Sequence, residues 1–160
     1  MNMTVKKILK VVVGGLLFCS VPYGSGETKP SLEIRSVQSS VKKDFVFIEV
    51  KYKCNLKRIR DVELKIYALL KKGREEKIAS GSFRLIEVEK GTDKKHFMIM
   101  SDYVKEYGKP RGVRVEMWHE DRILISETKP RPKEKWWKGE TINIIVRSDE
   151  KVEKLLREED

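Results

Sequence analysis

Between Val62 and Leu70 apolar and polar side chains alternate without a break. Val62, Leu64, Ile66, Ala68 and Leu70 occupy every second position, with Glu63, Lys65 and Tyr67 between them. A strand sends successive side chains to opposite faces, so the five apolar residues share one face. This is the pattern of a half-buried strand. Phe45 to Cys54 repeats it. Val46, Ile48, Val50, Tyr52 and Cys54 form one face, and Phe45, Phe47, Glu49, Lys51 and Lys53 the other. The two phenylalanines opening that second face predict that something covers it.

The rest of the chain reads as further short strands between turns. Leu32, Ile34 and Val37 suggest a first strand, broken at Ser39-Ser40 and Lys42-Lys43-Asp44. Lys57 to Asp61 reads as a charged connection. Gly73 supplies the positive φ of a tight reversal. In Lys77 to Glu89 the alternation shifts near Gly81, as a bulge would make it. Lys90-Gly91-Thr92-Asp93 reads as another turn before a short strand at His96–Met100. Ser101 or Asp102 caps a helical turn that Gly108 ends, and Lys109 to Gly112 closes a loop. Val113, Val115 and Met117 alternate with Arg114, Glu116 and Trp118, then return through Glu120-Asp121 and Ile123 to Ile125 as a hairpin. Thr141 to Val146 is the last strand. Ser148 caps a short charged helix or tail in which only Val152, Leu155 and Leu156 are apolar enough to dock. No alternation of strands with helices occurs. The predicted fold is therefore all-β: an immunoglobulin- or fibronectin III-like two-sheet sandwich of seven to eight strands, with a short C-terminal helix or tail. The Cys and Trp spacing of antibody domains is absent.

The N-terminal residues carry the marks of export. Lys6, Lys7 and Lys10 precede the apolar run Val11 to Phe18, and Gly24-Ser25-Gly26 offers small residues to a signal peptidase. The apolar run is short for a span of about 20 residues. The expected organisation is a signal peptide at 1–26, a β-sandwich at 27–147 and a charged helix or tail at 148–160, with no transmembrane span once the signal is cut. Cys19 ends the apolar run, and the bulky Phe18 before it disfavours lipidation. The expected location is periplasmic or extracellular. Cleavage leaves 32 basic and 25 acidic residues, a net +7. Charged residues are 38% of the chain, with both signs interspersed, and its only amides are Asn2, Asn55, Asn143 and Gln38. That balance describes a heat-adapted solvated surface better than a dedicated polyanion site. Cys54 is left without an intramolecular partner and, in strand register, reads as a buried thiol.

Chemistry-bearing patterns are few. His96 and His119 have no second His or Cys at ligand spacing, so no metal and no cofactor are expected. The chain has no nucleophile elbow and no phosphate loop. His119 with Glu116 and Asp121 is a polar cluster at a predicted hairpin tip. The segment from Lys129 to Lys138 is the strongest candidate. It sets Lys133, Lys135 and Lys138 around the adjacent pair Trp136-Trp137, and Pro130 and Pro132 stiffen it. Trp is a favoured interface anchor, and stiffness lowers the entropy lost on binding. The competing reading makes one Trp a plug and lays the other under lysine stems. Ile142 and Ile144 mark the last strand as a sheet edge open to strand addition.

The stretch Asp61 to Tyr67, with the hairpin Val113 to Ile125, resembles small periplasmic immunoglobulin-like proteins of Verrucomicrobia-type bacteria, encoded beside type IV pilus-like machinery. The resemblance spans Val46 to Val146. It implies a pilus-associated or cell-envelope binding protein that self-associates or docks by its sheet edges, and it implies no catalytic residue. The expected function is thus a non-catalytic interaction module, with partner contacts at Lys133, Lys135, Trp136, Trp137, Lys138, Ile142 and Ile144. Its partner is a cell-envelope protein or a second copy; an anionic glycan is a further class, and nucleic acid is disfavoured by export. The alternatives are a carbohydrate-binding module using Trp118, Trp136 and Trp137, and a small hydrolase.

Overall fold

A computed structural model describes residues 30–158; the expected signal at 1–26 lies outside the described residues. Seven strands follow in order: β1 Leu32–Lys42, β2 Phe45–Lys72, β3 Glu75–Ile99, β4 Lys109–His119, β5 Arg122–Lys129, β6 Thr141–Asn143 and β7 Ile145–Ser148. Helix α1 spans Ser101–Tyr107 and helix α2 spans Glu150–Glu158; a single 3-10 turn covers Trp136–Lys138. Among the described residues no helix is long and apolar enough to cross a membrane.

The expected sandwich is built in an unexpected way. β2 and β3 are one hairpin of 28 and 25 residues that passes through both layers. In the first layer the N-terminal half of β2 pairs with β1 and with the C-terminal half of β3, which also pairs with β7. In the second layer the C-terminal half of β2 lies between β4 and the N-terminal half of β3, with β5 and β6 at the edges. β1 lies against β4 and β5 of the opposite layer. A single core joins both, and it includes Val46, Ile48, Val50, Val62, Leu64 and Ile66, all fully buried.

The hairpin turns its corner between residues 55–61 of β2 and 86–92 of β3. Pairing slips between Cys54 and Arg58, and Asp61 takes a positive φ of 56°. Extra residues on one strand bend it and sharpen its twist. Burial changes parity here. Leu85 is buried, Ile86 is 74% exposed and Val88 is buried again. Lys57–Asp61 and Lys90–Asp93, expected as a connection and a turn, are therefore stretches of continuous strand. The reason is physical: at the corner the core-facing side shrinks to the buried pair Ile59 and Val88, while Arg58, Arg60, Glu87 and Glu89 around it are exposed, so the stretch has the composition of a loop.

Other expectations are corrected in the same way. β1 runs through Ser39-Ser40, paired with Ile48 and Phe47. β4 begins at Lys109, so Lys109 to Gly112 is strand. Gly81 is no bulge, for it pairs in register with Ile66. A Cβ there would lie 2.8 Å from the Ile145 carbonyl oxygen and 2.8 Å from the Phe83 ring. The expected last strand divides at Ile144, whose N–H donates to the Ser80 carbonyl at 3.1 Å, and its halves join different layers. Helix α2 is capped by Asp149, which accepts the Val152 N–H at 2.8 Å, and not by Ser148. Its docking side is Glu153 with Leu156 and Arg157, while Val152 and Leu155 are exposed.

The reversals at Lys43-Asp44, Gly73 and Glu120-Asp121 stand where the sequence places them, with positive φ at each named residue. The two-residue turns match the twist of the strands they join. Phe47 is buried on the outer face of the first layer, and the Arg157 guanidinium lies 4.7 Å over its ring, which supplies the cover expected there. Cys54 is a buried free thiol.

Candidate functional site

The outer face of the second layer carries a continuous set of polar and aromatic side chains. Strand alternation turns Glu63, Lys65 and Tyr67 of β2 outward, and register sets them beside Trp118, Glu116 and Arg114 of β4. Glu116 is 3% exposed. Its carboxylate accepts from Arg114 Nε and from Trp118 Nε1, each at 2.8 Å. Arg114 also donates to Thr128 Oγ1 at 2.8 Å, and its guanidinium lies 4.0 Å over the Trp137 ring. Lys65 Nζ sits 4.2 Å over the Trp118 ring. A buried carboxylate is tolerated because both of its oxygens find donors. Burial pushes the Tyr67 hydroxyl above its ordinary pKa, and the neighbouring Glu116 charge adds to this while Arg114 opposes it.

The tryptophan segment lies on this face. Trp137 is 9% exposed and meets Trp136 edge to face, with ring centroids 5.7 Å apart. Trp136 is half-buried. It passes over Gly112, where a Cβ would lie 3.3 Å from the indole. Gly112 is therefore the residue that lets the ring settle on β4. Of the residues expected at the site, Lys133, Lys135 and Lys138 are exposed, and Ile142 is half-buried. Trp136 and Ile142 line one groove together. Trp137 and Ile144 are buried, Ile144 at 6% exposure in the core. A charge at Ile144 would thus test the core before it tested an edge.

The sequence reading missed the Arg114–Glu116–Trp118 array, although the three positions alternate outward along one strand. Its signal was a carboxylate flanked two residues away by a guanidinium and an indole. Glu116 does not join His119: three positions apart on a strand, they face opposite sides. His119 instead lies 3.7 Å from Glu120. On the first layer, His96 Nδ1 lies 3.2 Å from Glu153 Oε1 of α2, and both residues are buried where the helix meets the sheet.

No family model and no curated protein matches the chain. Two solved structures from Akkermansia muciniphila, a bacterium of the Verrucomicrobia type, are similar to it. One is 14% identical with a TM-score of 0.57, covering 69% of this chain and 75% of that one. The other, wild-type OgpA, is 19% identical with a TM-score of 0.37; the match covers 65% of this chain and 27% of OgpA. The first likeness speaks to the fold alone, and the second carries no argument. The first likeness and the strand topology together define the chain as an all-β sandwich protein.

Proposed function

We propose that this chain is an exported, non-catalytic interaction module of the cell envelope, pilus-associated, periplasmic or extracellular in location. It binds a protein partner or a second copy through the Trp136 segment and the neighbouring edge strand β6. One observation carries the reading. Trp136 is half-exposed yet packed on two sides, with Gly112 beneath it and Trp137 against its edge. Lys133, Lys135 and Lys138 stand exposed around it. A preorganised aromatic ringed by polar side chains is how a binding anchor is built. Trp137 supports the contact from the side, and Ile144 belongs to the core. The carbohydrate reading ranks second: Lys65 covers a face of Trp118 and Arg114 a face of Trp137, which leaves Trp136 alone to stack on a sugar.

The test is capture from solubilised envelope with the full chain, tagged at its C terminus, at moderate salt and read by mass spectrometry. Trp136→Ala runs beside it as a single change, because Trp137 is structural. Enrichment of a defined envelope component or of the chain itself, lost in the variant, supports the reading. Equal capture by both proteins refutes the role of Trp136. Recovery of every acidic protein, abolished by salt, would report net charge only.

A further inference from the structure

Next to Trp136 is a groove of ≈ 570 Å³ with an apolar floor of Leu69, Ile78, Trp136 and Ile142. Its rim carries three carboxylates, Glu76, Glu134 and Glu140, against the single cation Lys77. The chain as a whole has a formal net charge of +10, so this groove is locally opposite in sign. Glu76 lies 3.9 Å from Lys71. The side chains of Glu134 and Glu140 have no ion pair or hydrogen bond among the described residues, and neither do those of Lys133, Lys135 and Lys138. Glu134 lines the groove while Lys133 and Lys135, its immediate neighbours, are exposed. An acidic groove thus adjoins, through Glu134, an exposed segment that carries the unpaired cations Lys133 and Lys135.

We propose that the occupant of this groove is the Lys133–Lys135 segment of a second copy, in a two-fold symmetric dimer. The inference rests on the contact reading above and names its partner. A patch that sets an acidic groove beside a basic segment complements itself when rotated by a two-fold axis. The lysines of each copy reach the carboxylates of the other, and their aliphatic stems lie along the apolar floor. Charge complementarity sets register and specificity, while the apolar floor supplies attraction that salt does not screen.

Sedimentation equilibrium of the full chain tests this by charge exchange. One variant reverses the groove, Glu134→Lys with Glu140→Lys. The other reverses the segment, Lys133→Glu with Lys135→Glu. The parent should dimerise, and raising salt from about 0.1 M to about 1 M, where the screening length falls from roughly 10 Å to roughly 3 Å, should weaken the dimer. Each variant alone should be monomeric, with its association weakened about tenfold or more. Mixed in equal amounts, the two should form a heterodimer, because both contacts are then attractive again, one with its native signs and the other with signs exchanged. A misfolded variant could not give that rescue, and far-UV circular dichroism of each checks its fold. A monomeric parent overturns the proposal, as does a mixture of folded variants that stays monomeric. A monomeric parent that still captures a defined envelope component through Trp136 would overturn the dimer alone and leave the contact reading standing.

Discussion

If β2 and β3 carry both layers, damage in one layer must be felt in the other. Ile48→Ala tests this. Ile48 is fully buried in the first layer, between Ser39 of β1 and Phe97 of β3. The change removes three carbons, worth about 0.8 kcal/mol each in transfer from water. The residual cavity raises the cost towards about 4 kcal/mol, within the 2 to 5 kcal/mol typical of such truncations. With a urea dependence of about 2 kcal/mol per molar, the unfolding midpoint should fall by roughly 1 to 2 M. The assay exploits the tryptophans. Trp118, Trp136 and Trp137, all three that the chain has, belong to the second layer or pack on it. Circular dichroism reports both layers, whereas fluorescence reports the second. Both midpoints should move down together in a single transition. A fluorescence midpoint unchanged from the parent, beside a biphasic dichroism curve, would refute the idea that the long hairpin makes one cooperative unit.

Four further outcomes are expected. Trp137→Ala should cost about 3 to 5 kcal/mol in urea unfolding, while Trp136→Ala, half-buried, should cost only about 1 to 2 kcal/mol. Glu116→Ala leaves Arg114 without its buried carboxylate and should cost about 3 to 5 kcal/mol by the same measurement. Gly108→Ala should destabilise by about 3 kcal/mol in thermal unfolding, since Gly108 has φ +100° and a Cβ would collide with the Lys71 carbonyl. Burial acts to raise the Asp93 pKa, but hydrogen bonds from the Lys94 N–H, the Lys95 ammonium and the Tyr52 hydroxyl outweigh it and hold the value low. The stabilisation this gives is present above the ordinary Asp value of about 3.9 and is lost as pH falls through the lower folded value. Asp93→Asn should therefore flatten the acid limb of a urea-midpoint profile taken from about pH 5 to about pH 2.

The sandwich was legible because its layers bury one face of each strand. Val62 to Leu70 alternates strictly and is buried with the same strictness, and the turns at Lys43-Asp44 and Glu120-Asp121 each carry an Asp, a residue type that tolerates positive φ. The continuity of the hairpin was not legible. Arg58, Arg60, Glu87 and Glu89 are exposed along the paired ladder, and only Ile59 and Val88 between them are buried. Backbone pairing leaves no trace in such a stretch, since it needs no particular side chain. Gly81 misled for a related reason. Local pattern suggested a bulge, but the cause is the approach of Ile145, 64 residues later, which no local window contains.

The same division holds at the site. Side chains whose role is set by their own strand were readable, and those set by register were not. Trp136-Trp137 stands out in the sequence, yet the assignment of one ring to packing and the other to the surface depends on Arg114 and Gly112 of β4. Arg114 can stack on Trp137 only because Glu116 and Thr128 fix its guanidinium. Glu116 in turn is held buried by Trp118 on its other oxygen. The partner surface is thus the end of a chain of contacts that begins inside β4. Loss of Glu116 should loosen Trp137 before it touches Trp136, so a binding defect in Glu116→Ala should come with a lost Trp137 environment. Trp136→Ala should lose binding with the Trp137 environment largely retained. Near-ultraviolet dichroism read beside capture separates the two. If both variants perturbed the aromatic spectrum equally, the segment would be a single packing plug, and the surface role of Trp136 would have to be given up.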